Sequence, residues 1–350
     1  MRAFVATEHD LTRWLRGLAA KTSVYFPQKT GSRNFRFDRV DGRAEMSFAG
    51  YRPTVVPPGR KIAPEREVLF RFRRDEKGRF TVRPTEPEGV QILAGVRPCD
   101  LRAIKLMDIA LLDGPGDTPY RRRREATAIV AADCLAPCDD FAFCAAVGSL
   151  THRDGADVFL TPLHGDFLVE ALTDRGSDLV DGAPFKACAN AADRKAEAEA
   201  KRAKPFGRQL VASPAALPKI IEKRWASAVW DRSVSRCFSC GTCNVVCPTC
   251  YCFDVRDDLD VRDPLSGERT RHWDACMLPQ FAAVADGHNF RPTAAARQRH
   301  RVKRKFEYLP NRFGEGSYCV GCGRCARQCT AGIDIAGIVN DLAADGEVAS

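Results

Sequence analysis

The chain has 350 residues, 45% of them hydrophobic and 28% charged, which is typical of a globular protein long enough for two cores. No apolar run approaches the roughly 18–20 residues of a membrane-spanning helix, and the acids and histidine of MRAFVATEHD interrupt any apolar signal, so we expect a cytoplasmic protein without a membrane span. The formal charge of +9 favours binding to an acidic partner, but it does not indicate whether that partner is a nucleic acid, a membrane surface or a protein.

The predicted elements begin with an amphipathic helix over about 7–21, in which Trp14 and three leucines recur at helical spacing. Alternating aromatic and β-branched residues then predict strands in SVYFP, NFRFDRV, AEMSF, EVLFRFRR and RFTVRP. A buried strand at 89–96, a helix at 97–112 and a second buried strand at 125–134 are typical of an α/β unit. Cys99 and Cys134 follow these two strands, where open α/β sheets tend to place their sites.

Sixteen cysteines are the unusual feature of the composition, and eight of them form a short internal repeat. Cytosolic thiols stay reduced, so clustered cysteines in such a chain usually hold metal. The first run is Cys237-x2-Cys240-x2-Cys243-x3-Cys247, and the second run is Cys319-x2-Cys322-x2-Cys325-x3-Cys329. This spacing is typical of ferredoxins with two 4Fe–4S clusters, in which the fourth cysteine of each run binds the other cluster.

The spacing also predicts how the ligands divide between two clusters. Three thiolates two residues apart can wrap one cluster, while the fourth cysteine starts a following helix and faces away. We assign cluster 1 to Cys237, Cys240, Cys243 and Cys329, and cluster 2 to Cys319, Cys322, Cys325 and Cys247. Structural zinc is the alternative, but it usually takes two separated ligand pairs, which two such runs fit poorly. Thr330 replaces the proline that usually follows a run, a residue that binds no iron.

About 70 residues separate the two runs, far more than in a compact bacterial ferredoxin. Helical patterns at 279–287 and 292–306 within this insertion indicate an α-helical ferredoxin type. An Ala-rich, charged helix at 188–205 precedes it, and the composition changes near 224. We therefore predict an α+β chain, with an N-terminal α/β domain over 1–225 and an α-helical ferredoxin domain with two 4Fe–4S clusters over 226–350.

The other eight cysteines allow a further site. Cys99, Cys134, Cys138 and Cys144 are candidate ligands of a third 4Fe–4S cluster, with buried apolar packing as the alternative. Three more, Cys250, Cys252 and Cys276, are too few for an independent four-thiolate site, so we interpret them as packing around the clusters. The histidines at 272, 288 and 300 are interpreted as structural, since eight thiolates already satisfy two clusters.

Two basic runs, at 121–124 and 297–305, raise nucleic-acid binding as an alternative function. No helicase, nuclease or glycosylase motif accompanies them, and no aromatic platform for single strands is evident. We therefore predict no nucleic-acid partner. The second run is interpreted as a solvated helix face that docks an acidic subunit.

Seven segments carry a family resemblance. They are CPTCYCFDV (247–255), RHWDACM (271–277), DGHNFRPT (286–293), RHRVKRKF (299–306), CVGCGRCARQC (319–329), GVRPCDLRAI (95–104) and PYRRRREATAIVAADC (119–134). With these segments the chain resembles the β (iron–sulfur) subunit of cytoplasmic NiFe-hydrogenases and sulfhydrogenases. It is also similar to the A subunit of anaerobic sulfite reductase.

The resemblance implies a hetero-oligomer in which this subunit relays electrons between a flavin- and NAD(P)-binding subunit and a NiFe-hydrogenase module, or a sulfite reductase in the alternative. It also supports the third cluster. The sequence has no GxGxxG after a strand, no P-loop and no HExxH, so we expect the partners to perform the catalysis and this chain not to be catalytic alone. A redox sensor would need an effector domain and a stand-alone reductase its own flavin site, and neither is evident.

Overall fold

The structure is a computed structural model that describes residues 2–32, 34–48, 50–85 and 89–345. Its strands are β1 (Arg2–Thr7), β2 (Ser23–Lys29), β3 (Phe35–Arg39), β4 (Arg66–Arg74), β5 (Phe80–Pro84), β6 (Gln91–Val96), β7 (Thr127–Ala132), β8 (Val158–Pro162), β9 (Asp166–Ala171), β10 (Lys186–Ala187), β11 (Phe253–Asp260) and β12 (Asp263–Trp273). Its helices are α1 (Glu8–Ala19), α2 (Pro98–Leu112), α3 (Thr118–Glu125), α4 (Asp174–Val180), α5 (Ala191–Ala200), α6 (Leu217–Lys223), α7 (Val229–Val234), α8 (Thr242–Val245), α9 (Ala294–Lys303), α10 (Leu309–Phe313), α11 (Arg324–Arg327) and α12 (Ile335–Ala344). This mixed content confirms the expected combination of helices and strands.

The larger sheet has eight strands in the order β10-β1-β9-β8-β7-β6-β2-β3. Its centre, β2-β6-β7-β8, is parallel, and the flanking pairs are antiparallel. Alternate residues of β6 and β7 enter two different cores: Ile92 and Val130 face one side, and Leu93 and Ile129 face the other. Both faces of the sheet are therefore covered, which explains why these strands read as continuous apolar runs.

Helix α1 covers one face of this sheet. It begins at a capping box in which the Thr7 hydroxyl accepts from the Asp10 backbone N–H while the Asp10 carboxylate accepts from the Thr7 N–H. Leu11, Trp14 and Leu15 are buried on its inner side. The helix predicted from their spacing is confirmed.

The smaller sheet has the order β11-β12-β4-β5 and is antiparallel throughout. The central pair joins β4, from the first hundred residues, to β12, from the segment between the two cysteine runs. Strands from both sides of residue 225 thus form one sheet. The long insertion contributes a β-hairpin as well as helices.

Three local predictions are wrong. Residues 44–48 form no strand, and residues 279–287 form turns where the sequence predicts a helix. Cys188 precedes α5, where its thiol donates to the Asn190 side-chain oxygen at 3.5 Å. Within the described residues, no helix combines the length and apolar character that crossing a bilayer requires.

Candidate metal centres

Both cysteine runs adopt the same backbone conformation. In each run a glycine with positive φ caps a four-residue helix: Gly241, at φ 75°, precedes α8, and Gly323, at φ 71°, precedes α11. The third cysteines, Cys243 and Cys325, lie inside these helices, which pack against each other. The fourth cysteine follows the short helix and starts no helix itself, so that part of the prediction is wrong. The two cysteine runs therefore pack against each other through their short helices.

Site 1 is defined by the four cysteines assigned to cluster 1. Cys237, Cys240, Cys243 and Cys329 line one cavity, together with the loop of the first run. Backbone N–H groups point at its sulfurs: Ser239 donates to Cys237 Sγ and Ile333 donates to Cys329 Sγ, each at 3.4 Å. Such N–H···S bonds are among the contacts by which a protein tunes an iron–sulfur cluster.

Site 2 is defined by Cys319, Cys322, Cys325 and Cys247. The Cys319 thiol neighbours those of Cys325 and Cys247, and Cys322 also neighbours Cys247. Burial raises the pKa of Cys322 to about 11, although Arg324 opposes this shift. The fourth cysteine of the first run therefore lies near the second run, and its sulfur also accepts from the Cys250 thiol.

The N-terminal set, Cys99, Cys134, Cys138 and Cys144, also comes together. Cys99 lies in the first turn of α2, and Cys134 lies two residues beyond β7, because the parallel strands β6 and β7 end at the same edge. The thiol of Cys134 bonds to the sulfur of Cys138 and lowers its pKa to about 7. Cys99 neighbours Cys134 and Cys144, and Cys144 neighbours Cys138. The four thiols thus form one group.

The N-terminal set adjoins site 2 directly. The Phe143 N–H donates to the Gly321 carbonyl at 2.8 Å. Gly321 has φ 66°, and a Cβ there would lie 2.6 Å from the Cys144 nitrogen. Cys322 in turn neighbours Cys144 and Cys99. Only glycine fits this approach.

Site 2 adjoins site 1 on its other side. Cys325 of site 2 neighbours Cys243 of site 1. The three cysteine groups therefore form a continuous row, with the N-terminal set at one end, site 2 in the middle and site 1 at the other end. Cys240 of site 1 is the one exposed cysteine among the sixteen, all of which are described. Phe238 beside it is 74% exposed, so this end of the row reaches the protein surface.

The cysteine trio, Cys250, Cys252 and Cys276, forms a fourth group that sequence reasoning missed. The three thiols line a separate cavity of about 260 Å³. The hairpin β11–β12 brings Cys252 and Cys276 to this cavity, because Phe253 pairs with Trp273 and the Asp274 N–H donates to the Cys252 carbonyl at 2.9 Å. The hairpin thereby brings the segments that carry Cys252 and Cys276 close together.

The second basic run is no solvated face, which corrects that interpretation. Four of its basic residues are buried: Arg297, Arg301, Lys303 and Lys305. Burial lowers the pKa of Arg301, but the surrounding thiols of Cys243 and Cys325 raise it more, so the guanidinium stays charged. Among the described residues, its Nε and Nη2 have no hydrogen-bond partner, although Arg301 is only 4% exposed.

These surroundings fit anionic iron–sulfur clusters. Buried polar groups are normally hydrogen-bonded, so unpartnered Arg301 nitrogens among cysteine sulfurs point to a negatively charged group at that place. The thiol donors and N–H···S contacts match the ligands that such clusters take. Within the described residues, no three His, Cys, Asp or Glu side chains converge closely enough to hold a single metal ion.

Comparisons with known proteins agree with this chemistry. Residues 236–333 match the family described as 4Fe–4S dicluster domain. The chain is 34% identical over 326 residues to the sulfhydrogenase 2 subunit β of Pyrococcus furiosus, and the alignment covers 91% of this chain and 92% of that protein. No solved structure matches significantly.

Proposed function

We propose which residues bind the clusters, which cofactors the chain carries and which partners it has. The proposal starts from one premise: the chain belongs to the family of the sulfhydrogenase β subunits. It is an iron–sulfur electron-transfer subunit of a hydrogenase, as the segments around its cysteines predict. Its relative is one subunit of a larger enzyme, so the chain works in a hetero-oligomer with hydrogenase partners. Neither comparison favours the sulfite reductase alternative.

Three 4Fe–4S clusters are assigned here, one to site 1, one to site 2 and one to the N-terminal set. When bound, such clusters accept and release single electrons. The observation that carries this assignment is the row of neighbouring thiols. It runs from Cys99 to Cys322, then through Cys247, Cys319 and Cys325 to Cys243. Residues 226–350 would form the α-helical ferredoxin-type domain, and residues 1–225 the N-terminal α/β domain.

Other residues of the chain place positive charge beside this row of thiols. Buried Arg301 and Lys305 supply positive charge beside site 2, which stabilises added electrons. The Lys305 ammonium donates to the Thr249 hydroxyl at 2.8 Å, and that hydroxyl donates to the Tyr318 carbonyl, so the cation is fixed in place.

Partners are assigned to the two ends of the row. The exposed Cys240 and Phe238 give one partner a short approach to site 1. The other partner would approach the N-terminal set, near the partly exposed Phe141. One of these partners is the NiFe-hydrogenase module and the other a flavin- and NAD(P)-binding subunit, in the cytoplasm.

The decisive experiment uses the assembled complex. Cys240→Ala should lower the iron content by about four atoms per chain and stop hydrogen-dependent reduction of the nicotinamide nucleotide. Dye reduction by the flavin subunit should survive, because its electrons do not cross this chain.

Cys188→Ala is the matched control, since this cysteine lies outside the four groups, and it should leave both iron content and turnover unchanged. Unchanged hydrogen-dependent turnover in Cys240→Ala would contradict the relay.

A further inference from the structure

We propose that the cysteine trio holds an additional iron–sulfur cluster, bound by the three thiolates of Cys250, Cys252 and Cys276. This site lies beside the row of sites 1 and 2, and its Cys250 thiol donates to the Cys247 sulfur of site 2. The family match to a dicluster domain and the N-terminal set together account for three clusters, so this would be a fourth.

The first support is the arrangement of the sulfurs. The Cys276 thiol lies against the Cys252 thiol, and the Asn244 amide donates to Cys276 Sγ at 3.2 Å and to Cys250 Sγ at 3.5 Å. Asn244 is 1% exposed and lies in α8 beside Cys243 of site 1. One amide therefore fixes two of the three sulfurs relative to site 1.

The second support is the space between them. The three thiols line a cavity of about 260 Å³ and do not converge on one point as the ligands of a single ion would. A water molecule takes about 30 Å³ of liquid volume, so the cavity has room for a group of several heavy atoms.

The third support is charge. Arg301, Arg304 and Lys305 line the same cavity, and within the lining no acidic side chain is described. Arg301 Nε and Nη2 are buried without a hydrogen-bond partner in the part of the chain that the structure describes. Buried cations need compensating negative charge, and a cluster held by three thiolates supplies it. Three thiolates leave one coordination position for a ligand other than cysteine, on the cavity side.

The test is a count of clusters on the full-length chain, reconstituted anaerobically with iron and sulfide. Native mass spectrometry should find a species with four 4Fe–4S clusters in the natural sequence. Cys252→Ser and Cys276→Ser should each lose about four irons per chain, while Cys188→Ser retains the natural content. The spectroscopic signals of the other clusters on reduction should persist in both trio variants.

Two results would overturn the inference. One is a natural chain that carries no more than three clusters when fully loaded and loses one of these three in Cys134→Ser, because the N-terminal set then accounts for the third. This result holds even if the trio variants fail to fold. The other is Cys252→Ser with the natural iron content. Because site 1 is followed separately through Cys240→Ala, loss of the relay and loss of this additional cluster are distinguishable.

Discussion

Asp100 and Arg324 form a two-armed ion pair between the N-terminal set and site 2, with N–O distances of 2.6 and 2.7 Å. Arg324 is completely buried, and the Asp100 side chain is 3% exposed. The aspartate follows Cys99, and the arginine lies between Cys322 and Cys325. Each half of the chain thus contributes one charge to the boundary between two groups of thiols.

Removing the carboxylate of this pair should be severely destabilising. Asp100→Ala leaves the Arg324 guanidinium buried without its partner, and breaking a buried pair in this way reduces the free energy of unfolding by about 3–5 kcal/mol. Thermal unfolding of the anaerobically prepared protein measures the effect as a lower midpoint.

Asp113→Ala is the matched control for that substitution. Asp113 pairs with Arg312 on the surface, where the two side chains are 41% and 64% exposed. Exposed pairs contribute at most about 1 kcal/mol, so its unfolding midpoint should stay close to that of the natural protein. Equal losses in the two variants would contradict a special role for the Asp100–Arg324 pair.

Gly321→Ala should separate site 2 from the N-terminal set. The new methyl group would lie 2.6 Å from the Phe143 carbonyl and the Cys144 nitrogen, so one backbone must move. Iron analysis should show less than the natural content, and the loss should concern the clusters on both sides of this contact.

Gly332→Ala distinguishes that clash from backbone strain alone. Gly332 has nearly the same φ, 68°, but nothing lies within 4 Å of the position of its Cβ. This variant should lose about 1–2 kcal/mol of stability and keep its iron. Similar iron losses in the two glycine variants would show that the clash is not the cause.

Arg301→Gln should lower a reduction potential. The guanidinium lies among the thiols of Cys243, Cys325 and Cys247, and its charge favours the reduced, more negative cluster. A unit charge about 6 Å away, at an effective dielectric constant of about 20, is worth roughly 3 kcal/mol, which corresponds to a shift on the order of 100 mV. Potentiometric titration followed by paramagnetic resonance measures the shift.

Arg299→Gln removes the same charge from the same helix and serves as the control. Arg299 stacks over Trp225 at 4.2 Å from its ring centre and donates to the Trp225 carbonyl. Its potentials should remain near those of the natural protein. A potential that rises in Arg301→Gln would contradict the electrostatic account.

His300 should make stability depend on pH in a defined window. Burial, with Arg291 and Arg304 nearby, lowers its pKa to about 4, whereas an unfolded histidine titrates near 6.5. Between these values the unfolded state binds more protons, so stability should fall as the pH falls from about 6.5 to about 4. His300→Gln should weaken this dependence of the unfolding midpoint, and the exposed His288→Gln should leave it unchanged.

The regular elements were predictable where periodicity reflects burial. The spacing of Leu11, Trp14 and Leu15 gives α1, and the apolar runs at 89–96 and 125–134 give two strands buried on both faces. The hairpin β11–β12 escaped prediction because β11 is almost wholly exposed, so the alternation of Phe253, Val255 and Leu259 with charged residues marks no buried face. Strand β12 pairs with β4, which lies nearly two hundred residues earlier, so this pairing leaves no local pattern.

The cysteine runs were predictable because their spacing is local, but the surroundings of the thiols were not. Arg297, Arg301 and Lys305 recur every four residues, which places them on one face of the helix and could have indicated a shared environment. The groups that compensate these positive charges lie far away in the sequence, so the sequence alone predicted that the basic side chains face solvent. Cys252 and Cys276 meet only because a hairpin with no sequence signal joins them.

The contact between Phe143 and Gly321 also constrains how the protein matures. The ribosome synthesises the cysteines of the N-terminal set long before Gly321, which packs against them. During synthesis these thiols are therefore not yet covered by the second cysteine run. Incorporation of iron at the N-terminal set should therefore follow translation of the whole chain. An oxidant present in the meantime would damage the youngest molecules first.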